Sequence, residues 1–197
     1  MAWWAEGMNV VLRKPMTVAE FLAWEARQDM RHDFDGFRPV AMTGGTDAHA
    51  TIQLNLTSAL HARLRGGPYR PYGSDMKAEI AGRVRYPDAM IVCAPVSPAM
   101  IVMTEPRVVF EILSQSTANV DLVDKNAEYR ATPSIQCHVI LQQTHAAAIV
   151  FTRKRADWVT DIVTGKGAIL QLPEVGIEVS LAELYVDVSL ADSASRE

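Results

Sequence analysis

The chain has 197 residues, of which 49% are hydrophobic and 21% charged, and its formal net charge is −4. Such a composition supports a sizeable core and excludes a low-complexity or disordered chain. The acidic balance argues against a protein that coats nucleic acid, which needs a cationic excess, and no apolar run approaches the roughly 18 residues of a membrane span.

The opening Met1-Ala2-Trp3-Trp4 lacks the basic start and apolar stretch of a secretory signal. A first helix is predicted over 17–30, because Thr17-Val18-Ala19-Glu20 matches a capping box and Met16 with Phe21 is spaced as a hydrophobic staple. Phe34 to Met42 reads as a turn and short strand around Gly36, broken by Gly44-Gly45. A second helix starts after Thr46 or Asp47, carries Ile52, Leu56, Leu60 and Leu64 at helical spacing, and stops at Gly66-Gly67-Pro68. Strands are predicted over 69–72, 75–81, 89–93 and 107–113, with Gly82 turning between the second and third. Ser114-Gln115-Ser116-Thr117 offers caps for a helix over 120–130, which Pro133 closes. Further strands follow over 136–141, 147–153, 158–163 and 168–172, and Ser180-Leu181-Ala182-Glu183 predicts a last short helix through Tyr185. With no linker and no repeat, residues 1–190 are expected to form a single α/β domain and the polar stretch 191–197 a disordered tail.

Cys93 and Cys137 sit in apolar strand-like runs, where a thiol is usually a small buried hydrophobe. Two isolated cysteines make neither a disulfide framework nor a zinc knuckle, so a reducing cytoplasm is the expected compartment. Basic residues group at Arg63 and Arg65, at Arg83 and Arg85, and at Arg153-Lys154-Arg155; a solvated surface is the simplest reading of each.

Two carboxylates carry the chemistry. Pro87 cannot donate a ladder hydrogen bond, so Asp88 is expected at a strand's beginning or at a bulge. Glu111 interrupts Val108-Val109-Phe110-Glu111-Ile112-Leu113, a run typical of a strand buried on both faces. A carboxylate there costs several kcal/mol to desolvate unless it is paired or bound to a metal. Alone, Glu111 is explained by an arginine partner or by an amphipathic edge strand. Together, the two acids supply the hard oxygen donors that magnesium takes, usually one or two carboxylates plus water and substrate phosphate. A metal so held lowers the pKa of a bound water and stabilises charge on phosphate, and a nearby lysine stabilises it further.

These acids stand in a longer ordered set. It comprises Met16-Thr17-Val18-Ala19-Glu20-Phe21-Leu22, Phe34-Asp35-Gly36, Ala41-Met42-Thr43-Gly44-Gly45 followed by His49, and Ser74-Asp75-Met76-Lys77. It continues with Tyr86-Pro87-Asp88, Phe110-Glu111-Ile112-Leu113-Ser114-Gln115-Ser116-Thr117, Lys125, Tyr129 and Leu181-Ala182-Glu183-Leu184-Tyr185. The set resembles the Uma-two family of restriction endonucleases, within the PD-(D/E)XK nuclease superfamily, over residues 16–185. The resemblance implies a restriction-endonuclease-like α/β fold, a mixed central β-sheet flanked by helices, here with extra C-terminal antiparallel strands. It also implies a magnesium- or manganese-dependent endonuclease acting on DNA as a homodimer. Asp88 becomes the motif aspartate and Glu111 the acidic residue of the (D/E)XK element, both of them metal ligands. The superfamily lysine would fall two residues later, where this chain has Leu113; in the family it comes instead from the following helix, which points to Lys125. Asp33 stands where members commonly carry a glutamate that approaches the metal, and is one methylene shorter. His49 matches a frequent family histidine able to contact phosphate or orient a water, and Lys77 is a further candidate for the lysine or for a DNA phosphate contact.

Read without the resemblance, Lys125 is a helix-surface partner of Asp121, Asp33 a turn or cap residue, and His49 a structural histidine. The alternative function is a catalytically degenerate nuclease fold kept as a binding or dimeric interaction module, favoured by the acidic charge, Leu113 and the shortened Asp33. A smaller phosphodiester or nucleotide is a third substrate class.

Overall fold

The computed structural model of the chain describes residues 15–42, 44–93, 95–113 and 120–190. The Trp3-Trp4 segment, the caps at Ser114 to Thr117, the Asp121 side chain and the tail after Leu190 lie outside the described residues.

Helix α1 (Val18–Glu25) opens with the expected capping box: the Thr17 hydroxyl accepts the Glu20 amide at 3.1 Å, and the Glu20 carboxylate accepts the Thr17 amide at 2.7 Å. It stops at Glu25, short of the predicted end, and the Glu25 carboxylate turns inward to accept the His32 amide, the Lys77 ammonium and the Tyr86 hydroxyl. The chain then reverses into a hairpin of β1 (His32–Phe34) and β2 (Pro39–Ala41). Helix α2 (Asp47–Leu64) is capped by Thr46 and buries Ile52, Leu56, Ala59, Leu60 and Leu64. Six strands follow: β3 (Tyr69–Gly73), β4 (Lys77–Ile80), β5 (Arg83–Arg85), β6 (Ala89–Cys93), β7 (Val102–Met103) and β8 (Pro106–Leu113). Ala81 (φ 48°) and Gly82 (φ 76°) form the two-residue turn between β4 and β5, a left-handed pair that matches the twist of a tight hairpin. A π-helical turn (Val120–Lys125) leads into α3 (Asn126–Ala131), then β9 (Cys137–Gln142), β10 (Ala147–Lys154), β11 (Asp157–Thr164), β12 (Ile169–Leu172), β13 (Ile177–Ser180) and α4 (Leu181–Leu184).

The central sheet has the order β11-β10-β9-β8-β6-β3. It is mixed: β8 and β9 run parallel, the other neighbours antiparallel. A parallel pair needs a crossover, and the π-turn with α3 lies in that connection. On one face Ala89, Ile91, Phe110, Ile112 and Val139 pack against α2 and the β12–β13 hairpin. On the other, Met90, Val92 and Val109 meet Tyr129, Ile135 and the Ala78, Ile80 and Met103 side chains of a second sheet, β2-β1-β5-β4-β7. Covering both faces is why β6, β8 and β9 read as near-continuous apolar runs. The expected mixed sheet, its flanking helices and the added C-terminal antiparallel strands are therefore all present. Among the described residues no helix is long and apolar enough to cross a membrane.

Two expectations fail. Cys93 is exposed at the end of β6, whereas Cys137 is buried and burial pushes its thiol up to about 12. In the native protein a thiol-reactive dye should therefore label Cys93 alone, and both cysteines only in denaturant; rapid labelling of both in the folded chain would contradict this packing. Arg85 is likewise not solvated but buried, paired with Glu128 and Asp33.

Candidate active site

Asp88 lies one residue before β6, as its proline requires. The ladder between β6 and β8 ends at Ala89 and Phe110, and the Ile112 amide, two residues further along β8, donates to Asp88 Oδ2 at 2.7 Å. Helix α2 supplies the other contacts. His49 and Gln53, four residues apart on one helical face, reach Asp88 together: His49 Nε2 stands 3.2 Å from Oδ1, and Gln53 Nε2 donates to Oδ1 and to the Asp88 carbonyl, each at 3.1 Å. Gly45 makes room for this, since a Cβ there would sit 2.9 Å from His49 ring atoms.

Glu111 lies beside Ile112 but faces the other side of the sheet, with Val109, and its side chain is 4% exposed. Lys125 Nζ is 3.0 Å from Oε2, and the Tyr129 hydroxyl donates to Oε1. Lys125 is the last residue of the π-turn and Tyr129 lies four residues on, so one helical face addresses both carboxylate oxygens. A π-turn is a rare local geometry, common at functional sites. Burial first, then the charge and hydrogen bond of Glu111, hold the Tyr129 phenol well above its ordinary range, so it remains a donor.

The Ile112 amide that binds Asp88 is one residue from Glu111; Lys125 reaches Glu111, and His49 reaches Asp88. Asp33 goes elsewhere: its Oδ1 accepts the Tyr86 amide at 3.1 Å, two residues before Asp88, and Oδ2 lies 3.4 Å from Arg85 Nη1. Lys77 pairs with the buried Glu25. Burial opposes the Glu25 charge, but hydrogen bonds from Lys77, Tyr86 and the His32 amide outweigh it and hold the carboxyl below its usual value. Gln53 escaped the sequence reading, although its place four residues after His49 was a usable signal; Tyr129 stands in the same relation to Lys125. Among the described residues no three His, Cys, Asp or Glu form a preformed metal cluster. The donor set nonetheless fits a hard divalent cation in type and number, since magnesium takes one or two carboxylates and keeps several waters.

Behind Tyr129 lies His138, fully buried, its ring edge-on to Tyr129 (centroids 4.6 Å apart) and stacked on Phe151 at 5.6 Å. Neither ring nitrogen has a hydrogen-bond partner among the described residues. Burial, aided by the Lys125 charge, lowers its pKa to about 3, so the folded chain keeps it neutral. The unfolded chain takes up a proton below about 6.5, so stability falls as pH drops from there towards 3. Near pH 5 this histidine should cost about 2 kcal/mol. His138→Phe should flatten the decline in melting temperature between pH 6.5 and 5; an unchanged slope would refute the assignment.

The sequence model of the Uma2 family, described as "Putative restriction endonuclease", matches residues 18–183. Two proteins of Synechocystis sp., both called uncharacterized, are similar: one is 27% identical over 170 residues, covering 84% of this chain and 89% of its own. The other is 27% identical over 141 residues, covering 69% and 80% respectively. The crystal structure of "a putative nuclease belonging to DUF820" from Anabaena variabilis superposes with a TM-score of 0.73 at 15% identity, covering 87% of this chain and 98% of that one. That likeness is one of fold.

Proposed function

The chain belongs to the Uma2 family of restriction-endonuclease-like proteins, and from that premise we propose that it hydrolyses DNA phosphodiester bonds with a magnesium or manganese ion held by Asp88 and Glu111. The observation that carries this reading is the Ile112 amide bound to Asp88, one residue from a Glu111 that Lys125 and Tyr129 grip from the other side. A bound divalent ion would supply an activated water and neutralise charge on the scissile phosphate. The chain's own residues do the rest. Gln53 and His49 orient Asp88, and Tyr129 orients Glu111. The Lys125 ammonium is the cation available to stabilise negative charge on the attacking and equatorial oxygens. Asp33 supports the site through the Tyr86 amide. A homodimer would present two such sites to the two strands of a duplex.

The test is supercoiled plasmid incubated with the protein and Mg2+ or Mn2+, paired with calorimetric titration of Mn2+. Nicking that EDTA abolishes, with saturable Mn2+ binding, is the expected result. An inert protein with no Mn2+ heat and no metal-dependent rise in melting temperature would instead favour the degenerate binding module. One observation leans that way: every oxygen of Asp88 and Glu111 already has a protein partner.

A further inference from the structure

We propose that Arg85, through Glu128 and Asp33, is a positioning residue that aims Lys125 and Tyr129 at Glu111. The consequence for catalysis rests on the nuclease reading above; the geometry does not.

Arg85 ends β5, and its side chain is only 6% exposed. Its guanidinium forks onto Glu128 of α3, with Nε 2.8 Å from Oε2 and Nη2 2.6 Å from Oε1, while Nη1 lies 3.4 Å from Asp33 Oδ2 on β1. Arg83 adds a second cation, Nε 3.0 Å from Glu128 Oε1, so two arginines face two carboxylates and the cluster is balanced. Burial works against the Arg85 charge, but Glu128 more than offsets it and the group stays protonated.

The cluster matters because of what α3 is. It has six residues and continues directly from the six-residue π-turn, and a helical segment of that length is only marginally stable without tertiary contacts. Consecutive helical residues point about 100° apart, so fixing Glu128 towards β5 sets the rotation of α3 and directs Lys125 and Tyr129, on the adjacent face, towards Glu111. The same guanidinium holds Asp33, whose other oxygen carries the Tyr86 amide beside Pro87 and Asp88. Arg85 therefore braces both arms of the candidate site, the helix that serves Glu111 and the turn that presents Asp88. A buried ion pair is a poor source of stability but a good one of orientation, and only an arginine offers the planar fork.

The test compares Arg85→Gln, Arg85→Lys and Glu128→Gln with the unaltered chain. The measurements are Mn2+ affinity by calorimetry, kcat and KM on plasmid, and hydrogen exchange of the α3 amides. Outer partners of metal-site ligands typically change affinity or activity by about 10- to 100-fold. We expect that loss in kcat for Arg85→Gln, and in Mn2+ affinity through the freed Tyr129 and the loosened turn that presents Asp88, with KM for DNA little changed and α3 amides exchanging faster. Arg85→Lys should recover only part of it, since the charge returns without the fork. Wild-type kcat and Mn2+ affinity in folded Arg85→Gln would overturn the proposal, as would a loss that merely tracks the folded fraction. Should Arg85→Gln fail to fold, Glu128→Gln, which keeps shape and removes charge, answers the same comparison. If the unaltered chain neither binds Mn2+ nor cuts, the nuclease reading falls separately. Exchange of α3 in Glu128→Gln then decides alone: faster upholds the brace, unchanged removes it.

Discussion

Asp88→Asn should abolish plasmid nicking, with kcat down by at least about 10³-fold, the scale seen when a principal charge-stabilising group is lost. The substitution is nearly isosteric, so the fold should survive. An asparagine offers one acceptor oxygen where the carboxylate offers two, and it must choose between the Ile112 amide at 2.7 Å and the Gln53 and His49 contacts. Losing one half-buried hydrogen bond to a charged acceptor costs about 1.5 kcal/mol, a fall in melting temperature of a few degrees for a chain of this size. The Mn2+ heat should vanish with the activity. If nicking persists undiminished in a folded Asp88→Asn protein, the cutting belongs to another site or another protein.

Lys125→Met separates the observed pairing of Lys125 with Glu111 from its proposed part in catalysis. The ammonium lies 3.0 Å from Glu111 Oε2, so it balances a buried carboxylate in the metal-free protein. In the proposed nuclease reaction it also stabilises charge on the reacting phosphate. Removing it should lower kcat by about 10²- to 10³-fold and the metal-free stability by about 2 kcal/mol, less than a fully buried pair because Lys125 keeps some solvent contact. Mn2+ affinity should hold or improve, since the ammonium no longer competes for Oε2. The rise in melting temperature at saturating Mn2+ should then be larger in Lys125→Met than in the unaltered chain. Wild-type cleavage by this variant would show that the missing superfamily lysine was not replaced from this helix.

Parts of this protein were legible in the chain because their determinants are local. The Thr17 capping box, the Thr46 start and Gly66-Gly67-Pro68 stop of α2, and the uninterrupted apolar strands all follow from neighbours a few residues apart. β5 was not, because a three-residue strand of Arg83-Val84-Arg85 shows a basic surface pattern until Glu128, 43 residues away, neutralises it. Cys93 misled for a similar reason: an apolar run predicts burial for its middle, not for the residue where the strand leaves the sheet.

Glu111 stood out in the sequence alone because a carboxylate within an apolar strand carries a desolvation cost whatever surrounds it, Asp88 because it follows a proline at the start of another, and their order with Lys125 narrowed the chemistry. Which groups meet that cost was decided only in three dimensions. Gln53 and His49 hold Asp88, Lys125 and Tyr129 hold Glu111, and Arg85 bridges Glu128 and Asp33 across elements distant in the chain. Charge in a strand is a property of one residue. The pairing that makes it tolerable is a property of the packed fold.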